Sequence, residues 1–512
     1  AHATGSVTGS SSVGGLVGWN GNGPWYSVQS ITNSYATGSV SGDTRVGGLV
    51  GWNGGGQAFS TNSIANCYAT GSVVGTGDNI GGLVGFNGQE NDYGFFNRPP
   101  VSNSYATGPV SGADRTGGLV GANSGTISNS FATGWVSSGG SYVGGLVGQN
   151  FIALYYWIWL INYFPGTISN SSWDTTTTGQ LAGQVGGYGG GFGMTTAQMQ
   201  QQANFTSATS ANGNANPAWD FAHTWVMYDN HTYPLLGVFM TPLTVTANDM
   251  TKTYDGLPNS GGNGVSYSTP PNLANLSGTL IYTGSSQGAT NTGTYVITPS
   301  GLSSLYSNQQ GYVITYADGT LTIDPATLTF TADAVSRTYG QANPLLSGSI
   351  TGFVGSDTLA SATTGTETFS TPATSTSNVG SYAVTGSGLT ANYGNYVFAQ
   401  APGNASALTI APATLTVTAD PVSRIYGAAN PLLSGSITGF VGSDTLASAT
   451  TGTETFATPA TSSSNVGSYA ITGSGLSANF GNYLFAQAPG NTTALTIAPA
   501  TLTVTADPVS RI

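Results

Sequence analysis

Through the first 185 residues the apolar positions come in short pulses. A Leu-Val pair flanked by glycines is followed by a polar stretch, then by one aromatic residue set among small ones. The first pulse, Gly14-Gly15-Leu16-Val17-Gly18, returns at 47–51, 81–85, 117–121 and 144–148, at steps of 33, 34, 36 and 27 residues. The second, Asn33-Ser34-Tyr35-Ala36-Thr37-Gly38, returns at 66–71, 103–108 and 129–134. Self-similarity at a short period predicts a solenoid, in which one repeat is one coil stacked on the last. The shortest repeat leaves room for three short strands and three turns, which predicts a parallel β-helix of either hand. Stacking would align Leu16, Leu49, Leu83, Leu119 and Leu146 in an internal column. It would align Tyr35, Tyr68, Tyr105 and Phe131 in a second column, and Asn33, Asn66, Asn103, Asn129 and Asn170 in a third at a corner. These columns read as structural.

The coils differ at one corner. From the Asn after each first phrase to the Asn of the next second phrase the distances are 13, 13, 16, 6 and 20 residues. The fourth coil is the shortest, and the others carry inserts at the same place. Those inserts hold Trp25 and Tyr26; Phe59; Tyr93, Phe95 and Phe96; and the apolar run 151–164 with Tyr155, Tyr156, Trp157 and Trp159. Equivalent insertions on a solenoid project from one face, often the binding face. The ten named residues are therefore the candidate binding or assembly surface. Three readings stay open: the inserts pack on one another, they bury against another chain, or they form a glycan-stacking or adhesive stripe. The run 151–164 is interrupted at Asn162 and is too short to cross a bilayer, which takes about 20 apolar residues.

After residue 185 the period fails. Residues 186–241 concentrate large apolar side chains (Trp219, Phe221, Trp225, Tyr233, Leu235), and Thr195 with Gln198 reads as a capping box for one short helix. An open solenoid end exposes its core and strand edges, so this segment reads as a cap. From 242 a longer repeat takes over. Leu328-Thr-Phe-Thr-Ala-Asp-Ala-Val-Ser-Arg-Thr-Tyr-Gly340 returns at 415–427 and its opening returns at 502, each step being 87 residues. A more distant copy starts at Leu243. Alternating strands with Gly, Asn and Pro turns predict sandwich-like or grasp-like β modules at 242–326, 327–413 and 414–500, with 501–512 as the opening strand of another. Short Pro-containing links predict a stiff rod of such modules. The fold class expected overall is all-β.

Composition narrows the function classes. Only 5% of residues are charged, and the net charge is −12, so a phosphate backbone or an anionic membrane surface is disfavoured as partner. The single cysteine, Cys67, stands where other coils have Ser34, Ser104 and Ser130, which excludes an internal disulfide and reads as a small residue in a tight site. His2, His223 and His231 lack metal-ligand spacing, and Asp357, Asp444, Glu367 and Glu454 are too sparse for a calcium cage. No nucleophile elbow, phosphate loop or Cys-x-x-Cys occurs, so no catalytic residue, metal or cofactor is expected. The chain opens in mid-coil and closes on the start of a repeat, so both ends read as cut from something longer.

The paired phrases of residues 1–185 resemble the GLUG repeat of bacterial surface and secreted proteins. The segment 186–241 is similar to the stretch that closes other such arrays. The later modules resemble the MBG domain of the YGX type, with Tyr339-Gly340 and Tyr426-Gly427 as signature and Tyr254-Asp255-Gly256 departing from it. The pairing is similar to that of large adhesin-like exoproteins of the filamentous-haemagglutinin type. The resemblance implies an extracellular or cell-surface, non-enzymatic protein that mediates attachment. Its partner would be itself, another cell or matrix surface, or a glycan. The alternatives are a subunit of a homopolymeric fibre or sheath, and a carbohydrate-binding solenoid.

Overall fold

The computed structural model describes residues 1–21, 26–55, 61–89, 98–157, 160–186, 188–305, 309, 311–509 and 511. The chain divides into two compact units. One comprises residues 1–249, 261–284 and 297–319, and the other 250–260, 285–296 and 320–512. Residues of the first β module contribute to both.

The solenoid is a parallel β-helix. Each coil contributes to four stacked sheets, where the sequence predicts three strands per coil, and in the later coils the contribution to the fourth sheet is broken into two strands at the corner Asn. In the second coil these are Val40–Gly42, Thr44–Gly47, Val50–Asn53 and Thr61–Ala69. The extra strand arises because Gly42 and Gly47 bound two short strands rather than one long one. Register is set by identity: Val17, Val50, Val84, Val120 and Val147 pair in succession. Leu49, Leu83, Leu119 and Leu146 are buried with Ile64, Val101, Ile127 and the alanines of the second phrase, with Leu16 partly buried beside them, so the leucine column is internal as predicted. A second interior compartment holds Val13, Val40, Val46, Val73, Ile80 and Val110. The doubled glycines let neighbouring coils touch: a Cβ at Gly82 would stand 2.1 Å from the Gly118 carbonyl oxygen and 2.9 Å from the Ala106 methyl.

The asparagine column sits at a corner, as expected. Asn33, Asn66, Asn103, Asn129 and Asn170 all adopt left-handed backbone, φ 44–53°. Asparagine tolerates that region better than most residues. A second amide column, buried, lies elsewhere. Asn20 donates to Asn53 (2.7 Å), Asn53 to Asn87 (2.7 Å), Asn87 to Asn123 (2.8 Å) and Asn123 to Asn150 (2.9 Å), each from Nδ2 to Oδ1. It lines the corner from which the inserts leave.

The aromatic column forms as expected, and the structure decides which way it faces. Tyr35, Tyr68, Tyr105 and Phe131 stack at centroid spacings of 4.8, 5.2 and 4.9 Å. They face outward, because the neighbouring Ala36, Ala69, Ala106 and Ala132 take the inner positions of the same strands. Residues 192–239 cover this outer face. Phe239 packs edge-on against Tyr35 and Tyr68, Trp225 against Tyr105 and Phe131, and Trp219 and Tyr233 against Phe131. The segment read as an end cap is thus also a side cover running along four coils. It does extend the end as well, since Tyr188–Gly189 and Phe192–Met194 pair in parallel with the last coil. The capping box of Thr195 and Gln198 forms, and two single-turn helices follow, Thr196–Met199 and Ala203–Thr206, where one is predicted. The cover is pinned by Asp174, buried at the end of Ser172–Asp174. Its carboxylate accepts from the Thr176 and Thr177 amides, the Thr196 hydroxyl and the Tyr233 phenol.

In the other unit the second module pairs its opening strand Ala326–Ala332 antiparallel with Gly348–Thr351 and parallel with Tyr396–Gln400. Leu408–Ala411 lies between Val335–Thr338 and Gly380–Tyr382, and Thr363–Ser370 with Thr385–Ala391 forms a bulged hairpin. The third module repeats each pairing. These are small sandwich modules of mixed sheets. Arg337 and Arg424 are buried in equivalent places without a carboxylate, their guanidiniums donating to Asn343 and Asn430 and to backbone carbonyls. Of residues 501–512, predicted as the opening strand of another module, 501–509 are exposed and unpaired. In each of the three modules that strand is held by two later strands.

Candidate binding surface and module junctions

Of the ten candidate surface residues, Trp25, Phe59, Tyr93, Phe95, Phe96 and Trp159 lie outside the described residues. Tyr26 is 71% exposed on a left-handed turn. Tyr155, Tyr156 and Trp157 belong to the strand Ile152–Trp157, which pairs antiparallel with Leu160–Pro165 as a two-stranded sheet separate from the coils. The hairpin closes at its base: the Gly166 amide donates to the Phe151 carbonyl, and Asn150 Nδ2 donates to the Gly166 carbonyl. In the fourth coil Ser124 alone joins the equivalent Asn123 and Gly125. The insert is therefore an addition that the coil does not need for its own ladder.

A row of aromatics leads to this hairpin. Trp19 stacks on Trp52 at 4.9 Å, Trp52 approaches Phe86 at 6.2 Å, and Phe86 stacks on Phe151 at 5.8 Å. Phe151 reaches Phe86 because the fourth coil has the small Ala122 between them. Trp19 and Trp52 donate their indole N–H to Gly54 and Gly88, and Arg45 lies over the Trp52 ring. Trp19 is 40% exposed, and Phe86 is buried. Sequence reasoning missed this row, although Trp19 and Trp52 stand at one fixed position beside the buried asparagines.

Cys67 occupies the serine column as expected. Its backbone amide donates to the Ser104 hydroxyl oxygen, its thiol meets the Ala65 carbonyl, and burial pushes the thiol up to about 11. A thiol that stays protonated and buried reacts slowly. We expect less than a tenth of native Cys67 to be labelled by an aromatic disulfide reagent at pH 8, against full labelling in denaturant, and no disulfide-linked dimer on non-reducing gels.

The junction between the second and third modules is built from the signature tyrosine. Tyr339 donates to Asp444 Oδ2 (3.2 Å), which also accepts from Tyr483 (2.6 Å), while Tyr483 takes the Val441 amide. The two rings meet edge to face at 5.5 Å. Beside them Asn482 donates to Asn378 (2.9 Å) and accepts from the Val379 amide (2.8 Å). Gly340, φ +87°, leaves the space in which Val441 sits; a Cβ there would stand 2.0 Å from Val441 Cγ1. The apolar core runs through the link, joining Leu408 and Ile410 to Leu415 and Tyr483. The same clasp forms one repeat earlier: Tyr254 (3.0 Å) and Tyr396 (2.6 Å) both donate to Asp357, and Asn395 pairs with Asn291. The first module departs from the signature in sequence, yet its tyrosine makes the same contact. Asp357 and Asp444 thus serve as acceptors for tyrosine pairs.

These phenols are held neutral by burial first and by the facing carboxylate second. Tyr396 and Tyr483 are pushed up to about 12, and Tyr254 and Tyr339 are raised. A folded value above the ordinary tyrosine value of about 10 stabilises the junction fully below that pH, and the stabilisation is lost as pH rises through the folded value. Absorbance at 295 nm, with hydrogen exchange at Val379, should show the junctions loosening between pH 10 and 12. Loosening already at pH 8 would contradict the clasp.

One small cavity of about 170 Å³ lies in the third module among Val417, Ile437, Glu454, Leu476 and Phe485. In the second module Phe330 stands where Val417 does and packs on Phe398 and Phe369, so the cavity is a packing gap from one substitution. Among the described residues no three His, Cys, Asp or Glu are placed to hold a metal, and no helix is long and apolar enough to cross a membrane.

Comparison with known proteins places these segments. Residues 243–322, 328–406 and 415–493 match the family model of the MBG domain (YGX type), and residues 9–41, 42–74 and 112–137 match that of the GLUG motif. The chain therefore carries GLUG repeats followed by three tandem MBG domains. A Gly-rich membrane protein of Evansella cellulosilytica is 35% identical over 159 residues, 30% of this chain and 15% of that relative. No solved structure matches the chain.

Proposed function

We propose that the chain is a non-enzymatic structural segment of an extracellular, cell-surface protein that makes contact with another surface. In this reading the β-helix presents the contact face and the tandem modules act as a spacer. GLUG and MBG families, both repeat domains, and the similarity to a Gly-rich membrane protein support the surface location. The observation that carries the contact role is the hairpin Ile152–Trp157/Leu160–Pro165, an uncharged aromatic insert that forms its own sheet off a coil complete without it. A part that the fold does not require, and that concentrates Trp and Tyr, suits recognition: such side chains dominate contact energetics at low entropic cost.

The test replaces residues 151–165 by one serine, as in the fourth coil. Attachment of the purified chain to cells and to a glycan array, and its appearance in electron micrographs, are then compared with the parent. Attachment that falls at least tenfold while the β-helix stays folded supports the reading. Unchanged attachment would sink it. A second reading, a subunit of a homopolymeric fibre, is favoured by the same uncharged insert. Regular filaments that vanish in the variant would select it over the first.

A further inference from the structure

The face through which each module grips the next recurs a third time and is open. Tyr254 and Tyr339 are 9% and 7% exposed, whereas Tyr426, their counterpart in the third module, is 45% exposed. A Cβ at Gly340 would strike Val441, but a Cβ at Gly427, φ +90°, would meet nothing within 4 Å. Asn378 and Val379 are engaged by Asn482, while among the described residues the carboxamide of Asn465 and the amide of Val466 have no partner, Asn465 keeping only the Tyr469 phenol on its backbone carbonyl, and Val466 is 51% exposed. The face is therefore a complete donor set: a phenol, a backbone amide and a carboxamide, around a slot lined by a left-handed glycine.

We propose that this face of the third module is a docking site for a further module of the same kind. The occupant presents a loop like Phe440-Val441-Gly442-Ser443-Asp444, with a tyrosine behind its carboxylate and an Asn like Asn482 alongside. The chemistry selects that partner. Twice within this chain such donors receive a carboxylate already held by a second tyrosine and an Asn side chain that both donates and accepts, and at the second junction Val441 fills the slot at Gly340. A glycan or an apolar peptide offers no such set. Both such loops of the chain are already engaged, Asp357 by Tyr254 and Asp444 by Tyr339, so the occupant brings its own. The inference rests on the junction geometry and is independent of any contact made by the β-helix.

The experiment extends the full chain. Ile512 corresponds to Ile425, so a copy of residues 426–500 is appended after it, and amide exchange is compared with the parent chain. The expected result is at least tenfold slower exchange at Val466 in the extended protein, reversed by Tyr426→Phe. Val379, at the formed junction, is the internal standard and should be protected in both proteins. An appended segment that folds while Val466 exchanges as before overturns the proposal, as does one that fails to fold. Fast exchange at Val379 in the parent would overturn the junction itself, and the proposal with it.

Discussion

Asn87→Asp is expected to destabilise the β-helix by about 3–5 kcal/mol at pH 7, the cost of burying an unpaired charge. Asn87 is fully buried at the middle of the amide column. Its Oδ1 accepts from Asn53, and its Nδ2 donates to Asn123 Oδ1 at 2.8 Å and to the Pro99 carbonyl at 3.0 Å. A carboxylate keeps the first bond but points negative oxygen at two acceptors, with no cation among the described partners. Burial and these acceptors would raise the introduced carboxyl's pKa, and the neutral acid can donate where the amide did. The penalty is therefore largest above that raised value and shrinks as pH falls towards about 4. Asn87→Ala removes the same bonds without a charge, so it should cost about 2–4 kcal/mol and show no such dependence. Thermal melts of both variants at pH 4 and pH 7 decide it. A pH-independent loss in Asn87→Asp would mean that the column is wet and that its amides do not face one another.

Asp174→Ala is expected to cost about 3–5 kcal/mol and to release the side cover from the coils. The carboxylate gathers four donors from three places: the Thr176 and Thr177 amides next to it, Thr196 at the start of the first short helix, and Tyr233 near the end of the cover. Burial and this carboxylate hold the Tyr233 phenol well above its ordinary range. Alanine leaves the Tyr233 and Thr196 hydroxyls without their acceptor. Tyr233→Phe removes one donor and leaves three, so about 1–2 kcal/mol is expected there. Release of the cover would expose Trp219, Trp225 and the ring column of Tyr68, Tyr105 and Phe131. Tryptophan emission should shift to the red and a hydrophobic dye should bind, while exchange at Val379 in the other unit stays unchanged. Equal losses in Asp174→Ala and Tyr233→Phe would remove Asp174 from its role as the pin.

Much of this protein is written in its period. Repetition of Gly-Gly-Leu-Val-Gly at nearly constant spacing determines the β-helix, because identical coils stack in register with Val on Val and Leu on Leu. The left-handed corner asparagines and the serine column that holds Cys67 follow from the same alignment. The tandem modules were legible for the same reason, as a near-identical 87-residue repeat. The insert corner was legible too, since only the fourth coil lacks an insert. What the inserts touch was not, because each differs in length and sequence and a period carries no information about what breaks it.

Tertiary structure alone decided three things. It turned Tyr35, Tyr68, Tyr105 and Phe131 outward and laid residues 192–239 over them; an aromatic column looks the same in sequence whether it faces in or out, and only strand alternation against the alanines separates the two. It selected which asparagine column is buried, since Asn53 and Asn66 belong to the same coil and only the winding distinguishes inner from outer corner. And it gave the signature tyrosine its task. Asp357 and Asp444 looked too isolated to hold a cation, and they lie more than 100 residues from the tyrosines of the preceding module that reach them. Sequence spacing determines what repeats along a chain. Which repeat meets which is set by packing between modules, where each carboxylate finds its two phenols.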